Sequence, residues 1–300
     1  MSRATSPAVH PPELEGVAHR WVTANGVRLH VAEAGVGNPG PPLVLIHGWP
    51  QHWWCWHKVI PLLAQDHHVV AVDLRGHGWS DVPEPGGAAY DKRTLADDVV
   101  ALIDELGLDR PVVVGHDWGA WVSLLVGGRG PEVVRGVVAT AIVAPWAPIP
   151  RKDLWRFLYQ PVVGGPWGML AHRVLGQAVL KQIFHRGSHH RGVWTDADME
   201  PYLERYRDRD RAAAGRSMYA TFMTREMPAM QRRRYQRPIE DVPVLMLPGR
   251  RDIVLAPHLV ERGVVRPHIS MKVIDGAGHW VPEEQPEALV EHVEAFLTTL

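Results

Sequence analysis

The sequence predicts an α/β protein built on a mostly parallel sheet with helices on both faces. Short valine-rich runs, such as residues 69–72 and 112–114, are typical of strands that are buried on both faces. Segments with apolar residues at helical spacing, such as residues 95–106, alternate with these runs. The alternation stops after Pro145 and resumes at Val242. We therefore expect a parallel α/β core with one helical insertion.

The individual elements follow from local signals. Residues 19–25 and 27–33 are predicted to pair as antiparallel strands across a turn at Asn25-Gly26, a dipeptide typical of tight hairpins. The remaining strands are predicted at residues 43–46, 69–72, 112–114, 134–143, 242–247 and 269–274. A helix is expected over residues 53–63, a second one behind an N-cap at Thr94, a third after Gly119 and a last one over residues 286–297.

These elements divide the chain into a core and a cap. We predict an eight-stranded core domain over residues 17–145 and 239–300, with a helical cap over residues 146–238 inserted into it. Residues 1–16 are expected to be a flexible tail, and they lack the basic end and apolar stretch of a secretory signal. No apolar run reaches the length of ~20 residues that crosses a membrane. We therefore expect a cytoplasmic protein.

The composition argues against several kinds of partner. The 32 Lys and Arg residues and 33 Asp and Glu residues nearly balance, which favours neither nucleic acid nor an anionic membrane as a partner. The single cysteine, Cys55, allows no disulfide within the chain. His189 and His190 have no further ligand at metal spacing, so we expect neither a metal nor another cofactor. The expected partner is a small molecule, bound by a monomer or a homodimer.

The chemistry is predicted at Gly115-His116-Asp117-Trp118-Gly119, between a buried strand and an apolar helix. Strand, Gly-x-nucleophile-x-Gly and helix form the nucleophile elbow of the α/β-hydrolase fold. The central residue is Asp117, whose carboxylate is ionised at neutral pH and needs no base to attack an sp³ carbon. The product of that attack is an ester on the enzyme. The alternative is a glycine-flanked turn in which Asp117 only caps the helix.

Two further residues complete a catalytic set in the chain order of this fold. Asp252 follows the strand at 242–247 and His279 follows the strand at 269–274, so both fall at carboxyl ends of strands. We predict that His279 activates water and that Asp252 orients its imidazole. Taken singly, a capping aspartate and a loop histidine explain these residues equally well. Their arrival after successive strands favours the catalytic set.

The backbone N–H groups of Trp49 and Trp118 are the predicted oxyanion hole. Trp118 follows the nucleophile, and Trp49 lies in His47-Gly48-Trp49-Pro50 after the strand at 43–46. A cis bond between Trp49 and Pro50 would be one way to direct the Trp49 N–H inward. The side chains expected to line the substrate pocket are Trp155, Trp118, His47 and Trp280.

Three segments together resemble the epoxide hydrolase and haloalkane dehalogenase branch of the α/β-hydrolase superfamily. They are His47-Gly48-Trp49-Pro50, Asp73-Leu74-Arg75-Gly76-His77-Gly78-Trp79-Ser80-Asp81 and Gly115-His116-Asp117-Trp118-Gly119. The resemblance covers roughly residues 21–143 and 242–300. It implies an eight-stranded sheet with a helical cap and a covalent ester on Asp117.

The two activities of that branch differ in how the leaving group is stabilised, and epoxide hydrolases use two cap tyrosines. Tyr219 lies where they carry the second tyrosine, although Ala220 replaces the usual arginine. Trp155 occupies the place of the first tyrosine. Tyr159, one helical turn further on, is the candidate second donor. Tyr202 and Tyr206 are better explained as ordinary helix residues.

The alternative activity is that of a haloalkane dehalogenase, in which the indoles of Trp118 and Trp155 would hold the halide. Trp49 stands where other dehalogenases have asparagine, and residues 73–81 look more like epoxide hydrolases. A haloacid dehalogenase is disfavoured because Trp118 replaces its substrate-binding arginine. The complete catalytic set disfavours a non-catalytic member of the superfamily. We therefore predict an epoxide hydrolase that converts a small apolar epoxide to a vicinal diol.

Overall fold

A computed structural model describes residues 10–84, 88–165, 168 and 176–300. Its strands are β1 (Ala18–Ala24), β2 (Val27–Ala34), β3 (Gly40–Ile46), β4 (His67–Val72), β5 (Val112–His116), β6 (Gly136–Thr140), β7 (Val244–Leu247) and β8 (Ile269–Met271). The described strands form one sheet with the order β1-β2-β4-β3-β5-β6-β7-β8. The β1–β2 and β2–β4 pairs are antiparallel, and all other pairs are parallel. The predicted mostly parallel, eight-stranded sheet is therefore confirmed.

The strand bounds agree with the sequence pattern except at the ends. The β1–β2 turn uses Asn25 and Gly26 with φ of 49° and 72°, the positive values that a tight hairpin turn requires. The strand predicted over residues 134–143 is limited to β6, and the last predicted strand ends at Met271 apart from one bridge between Gly249 and Ile274. Every residue of β5 and β6 is buried, so both faces of the sheet are covered at its centre.

The longer of the described α-helices are α2, α3, α5, α6, α7 and α11 in the numbering that follows, and the others have four or five residues. The α-helices are α1 (Ile60–Leu63), α2 (Lys92–Glu105), α3 (Trp118–Gly127), α4 (Gln160–Gly164), α5 (Gly176–Gly187), α6 (Asp196–Tyr206), α7 (Arg209–Thr221), α8 (Met227–Gln231), α9 (Pro257–Val260), α10 (Val281–Glu284) and α11 (Pro286–Leu297). The 3₁₀ helices are Trp53–Trp56, Arg151–Phe157, Arg191–Val193 and Glu261–Gly263, and a π-helical turn covers Phe222–Glu226.

Two helix predictions are wrong in detail. The run over residues 53–63 is divided into the 3₁₀ helix Trp53–Trp56 and α1, since Pro61 lies in the first turn of α1 and suits a helix start. The N-cap of α2 is Asp91, which accepts the N–H of Arg93, and not Thr94. The hydroxyl of Thr94 instead donates to the Ala88 carbonyl.

The residues between β6 and β7 that the structure describes contain helices and no strand. We refer to residues 146–238 as the insertion; residues 166, 167 and 169–175 of the predicted cap lie outside the described residues. Of the predicted tail, residues 1–9 also lie outside them, whereas Leu14 packs partly against the core. Among the helices that the structure describes, none is long and apolar enough to cross a membrane.

Candidate active site

The turn between β5 and α3 is tight enough to require glycine on both sides of Asp117. Asp117 has φ of 53° and ψ of −123°, a strained conformation for a residue with a Cβ. A Cβ on Gly119 would overlap the carbonyl oxygens of Ile46 and His47, and one on Gly115 would overlap the start of α3. The glycines therefore allow α3 to begin against the end of β3, which lifts the Asp117 side chain from the sheet edge.

The carboxylate of Asp117 has one partner on each oxygen. Its Oδ1 accepts the backbone N–H of Trp49 at 3.1 Å, and the Trp49–Pro50 bond is cis, as the sequence analysis anticipated. Its Oδ2 lies 3.5 Å from Nε2 of His279. A Cβ on Gly48 would overlap the Asp117 side chain, so that glycine also makes room for the carboxylate.

His279 lies between two carboxylates. Its Nδ1 donates to Oδ2 of Asp252 at 2.8 Å, and its Nε2 faces Asp117. The other oxygen of Asp252 accepts the N–H groups of Val254 and Leu255, both at 2.8 Å. Burial alone would lower the pKa of His279, but the two carboxylates outweigh it and raise this pKa to about 10. The two carboxylates therefore favour the protonated imidazolium form of His279.

A cavity of about 620 Å³ opens above Asp117 and His279, a size that suits a drug-sized organic molecule. Tyr159 and Tyr219 line it, and their side chains interact with each other. Burial raises the pKa of both phenols, so both stay protonated and can donate. Tyr219 is also held edge-on between the rings of Trp49 and Trp118, with centroid distances of 5.0 Å and 5.5 Å.

The other predicted pocket residues divide into two groups. Trp155 and Trp280 line the cavity, but the Trp155 side chain is 59 % exposed. His47 does not line it, because its ring is buried below the loop, with Nδ1 on the Gly48 carbonyl and Nε2 accepting the Leu74 N–H. Trp118 does not line it either; its indole packs against Phe222 and Tyr219 and lines a separate void of about 20 Å³ beside Asp117. For His47 and Trp118 the pocket prediction is wrong.

The tyrosines of the insertion are also placed differently from one another. Trp155 and Tyr159 do not share a face of one α-helix, because Trp155 lies in a 3₁₀ helix that ends at Phe157 and Tyr159 is the N-cap of α4. Tyr202 donates to Oε1 of Glu283 at 2.5 Å, and neither it nor Tyr206 lines the cavity. Of Tyr159, Tyr202, Tyr206 and Tyr219, only Tyr159 and Tyr219 line the cavity with Asp117.

One wall of the cavity contains no residue that was predicted from the sequence. This wall is formed by α5, through Ala178, Val179, Gln182, Ile183, Arg186 and Gly187. Their spacing of three and four residues is a helical signal, but such a signal does not tell which side of the helix meets a ligand. Within the described ranges, no group of three His, Cys, Asp or Glu side chains is placed to hold a metal ion.

The chain is similar to known proteins over most of its length. A family model described as the alpha/beta hydrolase fold matches residues 41–286. Epoxide hydrolase A of Mycobacterium tuberculosis is 30% identical over 338 residues, covering 94% of this chain and 97% of that protein. The chain belongs to the epoxide hydrolase branch of the α/β-hydrolase superfamily.

Other relatives are similar to this hydrolase over nearly its whole length. Mouse epoxide hydrolase 3 is 29% identical over 291 residues, covering 93% of this hydrolase and 76% of the mouse protein. The solved structure of the epoxide hydrolase CorEH superposes with a TM-score of 0.81 at 27% identity and covers 94% of this hydrolase and 99% of CorEH. The resemblance found in the sequence is therefore confirmed.

Proposed function

We propose that this hydrolase opens an epoxide through an ester on Asp117 and hydrolyses that ester to a vicinal diol. The observation that carries the proposal is the presence of two protonated phenols, Tyr159 and Tyr219, in the cavity that Asp117 faces. Epoxide opening leaves an alkoxide attached to the substrate, and this strong base needs a proton donor. The names of the relatives, epoxide hydrolase A and epoxide hydrolase 3, support the same reaction class.

In the first step, a carboxylate oxygen of Asp117 forms a bond to an epoxide carbon as the ring C–O bond breaks. The developing alkoxide takes the proton of Tyr219, and the resulting phenolate is stabilised by the hydroxyl of Tyr159. The cap role predicted for the insertion follows from this step, since both tyrosines belong to the insertion. The proposal therefore includes the predicted division into a core (residues 17–145 and 239–300) and a cap (residues 146–238).

The second step depends on the loss of charge at Asp117. Once Asp117 is an ester, only Asp252 still stabilises the imidazolium, so the pKa of His279 falls and its proton passes to the tyrosyl phenolate through solvent. Neutral His279 then takes a proton from water as the hydroxide attacks the ester carbonyl of Asp117. The N–H of Trp49 already reaches Asp117, and the N–H of Trp118 is the first of α3, which has no acceptor within the helix.

The collapse of the tetrahedral species restores the starting state. The departing alcohol oxygen takes the proton that remained on the attacking hydroxyl, and the diol is released. His279 keeps the proton it took from water and again faces the Asp117 carboxylate. Each turnover consumes one epoxide and one water.

A halide site is disfavoured by the placement of the two candidate indoles. The side chain of Trp155 is largely exposed, and that of Trp118 lines the separate small void. An indole that is largely exposed to solvent would hold a leaving halide poorly.

The test is diol formation from styrene oxide against halide release from 1-bromobutane. We expect diol formation and no halide release from the native enzyme, and no turnover from Asp117→Ala. Tyr219→Phe should lower kcat/KM by ~10²–10³, the usual cost of removing one donor to a developing oxyanion. Tyr202→Phe is the matched control, because its hydroxyl serves Glu283. Halide release in preference to diol, or undiminished turnover by Asp117→Ala, would overturn the proposal.

A further inference from the structure

Lys92 is a buried cation that the proposed reaction does not use. It is the first residue of α2, and none of its side chain is exposed. Its ammonium donates to the Met218 carbonyl at 2.7 Å, pairs with Oε2 of Glu226 at 2.8 Å and lies 4.4 Å from the centroid of the Trp118 ring. Lysine is almost never fully buried unless it is paired. This buried ammonium is therefore paired, with specific contacts to Met218, Glu226 and Trp118.

Glu226, the carboxylate that pairs with Lys92, belongs to the insertion. Its Oε1 accepts the backbone N–H of Lys92 at 2.8 Å and the hydroxyl of Tyr235 at 2.9 Å. Glu226 ends the π-helical turn Phe222–Glu226, which directly follows α7. Such turns are rare and are frequent at functional sites. Here the turn carries a carboxylate from the insertion to the first residue of a core helix.

Two of the residues that Lys92 contacts, Trp118 and Met218, are sequence neighbours of the proposed catalytic residues. Trp118 follows the nucleophile and is packed edge-on against Tyr219. Met218 directly precedes Tyr219, so the bond from Lys92 fixes the backbone from which the phenol extends. One buried ammonium thus holds a side chain next to Asp117 in the core and the peptide next to Tyr219 in the insertion.

We propose that Lys92 is a positioning residue for ring opening, which holds the Tyr219 hydroxyl in register with the Asp117 carboxylate. The inference rests on the proposed function. A purely stabilising role does not require a charge here, since apolar residues of similar volume often stabilise a core as well as a buried ion pair does. The ammonium differs from an apolar side chain in that it binds the Met218 carbonyl and the face of Trp118 at the same time.

A double-mutant cycle tests this inference, with the enzyme in excess over an epoxide so that ester formation and ester hydrolysis are timed separately. In the enzyme that keeps Tyr219, we expect Lys92→Met to slow ester formation by ~10–100-fold. The reason is that a displacement of a catalytic group by about 1 Å can lower the rate 10²-fold. In the Tyr219→Phe background, the same change should have little further effect, because the group it positions is gone. In ester hydrolysis Tyr219 only takes back a proton from His279 through solvent, and no bond to it depends on the position of its hydroxyl. Ester hydrolysis should therefore change far less than ester formation.

The matched control is Arg75→Met. Arg75 is also buried, and its guanidinium pairs with Asp98 of α2, away from Tyr219. This control should lower the melting temperature and have the same kinetic effect in both Tyr219 backgrounds. If Lys92→Met does not fold, Glu226→Gln takes its place in the cycle, because it keeps the shape and removes only the partner charge.

The outcomes separate the two proposals. If Tyr219→Phe is strongly impaired but the effect of Lys92→Met is equal in both backgrounds, Lys92 is structural and the inference fails while the function stands. Equal slowing of ester formation and ester hydrolysis contradicts the inference in the same way. If the native enzyme forms no diol, the proposed function itself fails.

Discussion

The pKa of His279 should depend on the charge of Asp117. The substitution Asp117→Ala removes this charge, as the proposed ester on Asp117 would. Two carboxylates flank the imidazole, with Asp252 at 2.8 Å and Asp117 at 3.5 Å. Together they raise the pKa of His279 from 6.5 to about 10 against the effect of burial. One opposite charge at such a distance raises the pKa of a histidine by ~1–3 pH units. In Asp117→Ala, we therefore expect this pKa to fall to ~7–9.

The sign of the effect on stability follows from the direction of the pKa. Because the folded protein raises the pKa of His279, the stabilisation from its imidazolium is fully present below pH 6.5 and is lost as the pH rises through about 10. In Asp117→Ala this contribution should be smaller, and it should already be lost at a lower pH. Thermal unfolding of both proteins from pH 6 to 10 measures this difference.

The direct assay is an NMR titration of the imidazole C–H groups in protein labelled with ¹³C-histidine. The chain has 18 histidines, so His279→Gln is needed to assign the signal. Asp97→Ala is the control, because it removes an exposed carboxylate paired with Arg129 and should leave the titration of His279 unchanged. If the pKa of His279 in Asp117→Ala stays near 10 or rises, the coupling between ester formation and base activation is refuted.

Three further predictions concern stability and the leaving group. Gly119→Ala should lower the free energy of unfolding by ~3 kcal/mol or more, because its Cβ would overlap the backbone after β3. Gly192→Ala, where nothing lies within 4 Å, should have little effect on the same denaturant curve. Arg75→Met should cost ~3–5 kcal/mol, because it removes the opposite charge from buried Asp98 and, among the described residues, leaves it only the hydrogen bond from Asn25. Arg129→Met, which breaks an exposed pair, should cost ~0–1 kcal/mol in chemical denaturation. Trp155→Phe should keep diol formation within about twofold of the native rate, since its exposed indole serves as cavity rim and a single rim contact is worth little; a large loss would revive the halide interpretation.

The core of the site could be predicted because each of its parts is fixed by local sequence. The glycines around Asp117 define one sharp turn whatever the rest of the chain does. Asp252 and His279 each follow a strand of a parallel sheet, so their convergence at one edge is a consequence of the fold. The positive φ of Asp117 and the hydrogen bond that it accepts from the Trp49 N–H are both consistent with such a turn.

The insertion could not be predicted in the same way, because its geometry depends on contacts between distant residues. The change from a 3₁₀ helix to α4 separates Trp155 from Tyr159, and periodicity does not reveal it. The buried pair of Lys92 and Glu226 is 134 residues apart in sequence, and a single lysine at the start of an amphipathic helix normally lies in solvent. Only the packing of α2 against the π-helical turn brings them together.

The difference between core and insertion also explains why the sequence motifs of the core do not distinguish an epoxide from a halide as substrate. In the proposed mechanism, Asp117, Asp252 and His279 would form and hydrolyse an ester whatever group leaves, so their geometry is compatible with either substrate. In the same proposal, the leaving group is stabilised from the other side of the cavity, where Tyr159 and Tyr219 of the insertion line it. A change of substrate class therefore requires changes in the insertion and in the residues that hold it against the core. Lys92 belongs to the second set, which is why its effect should appear in ester formation and not in the hydrolysis that the core performs.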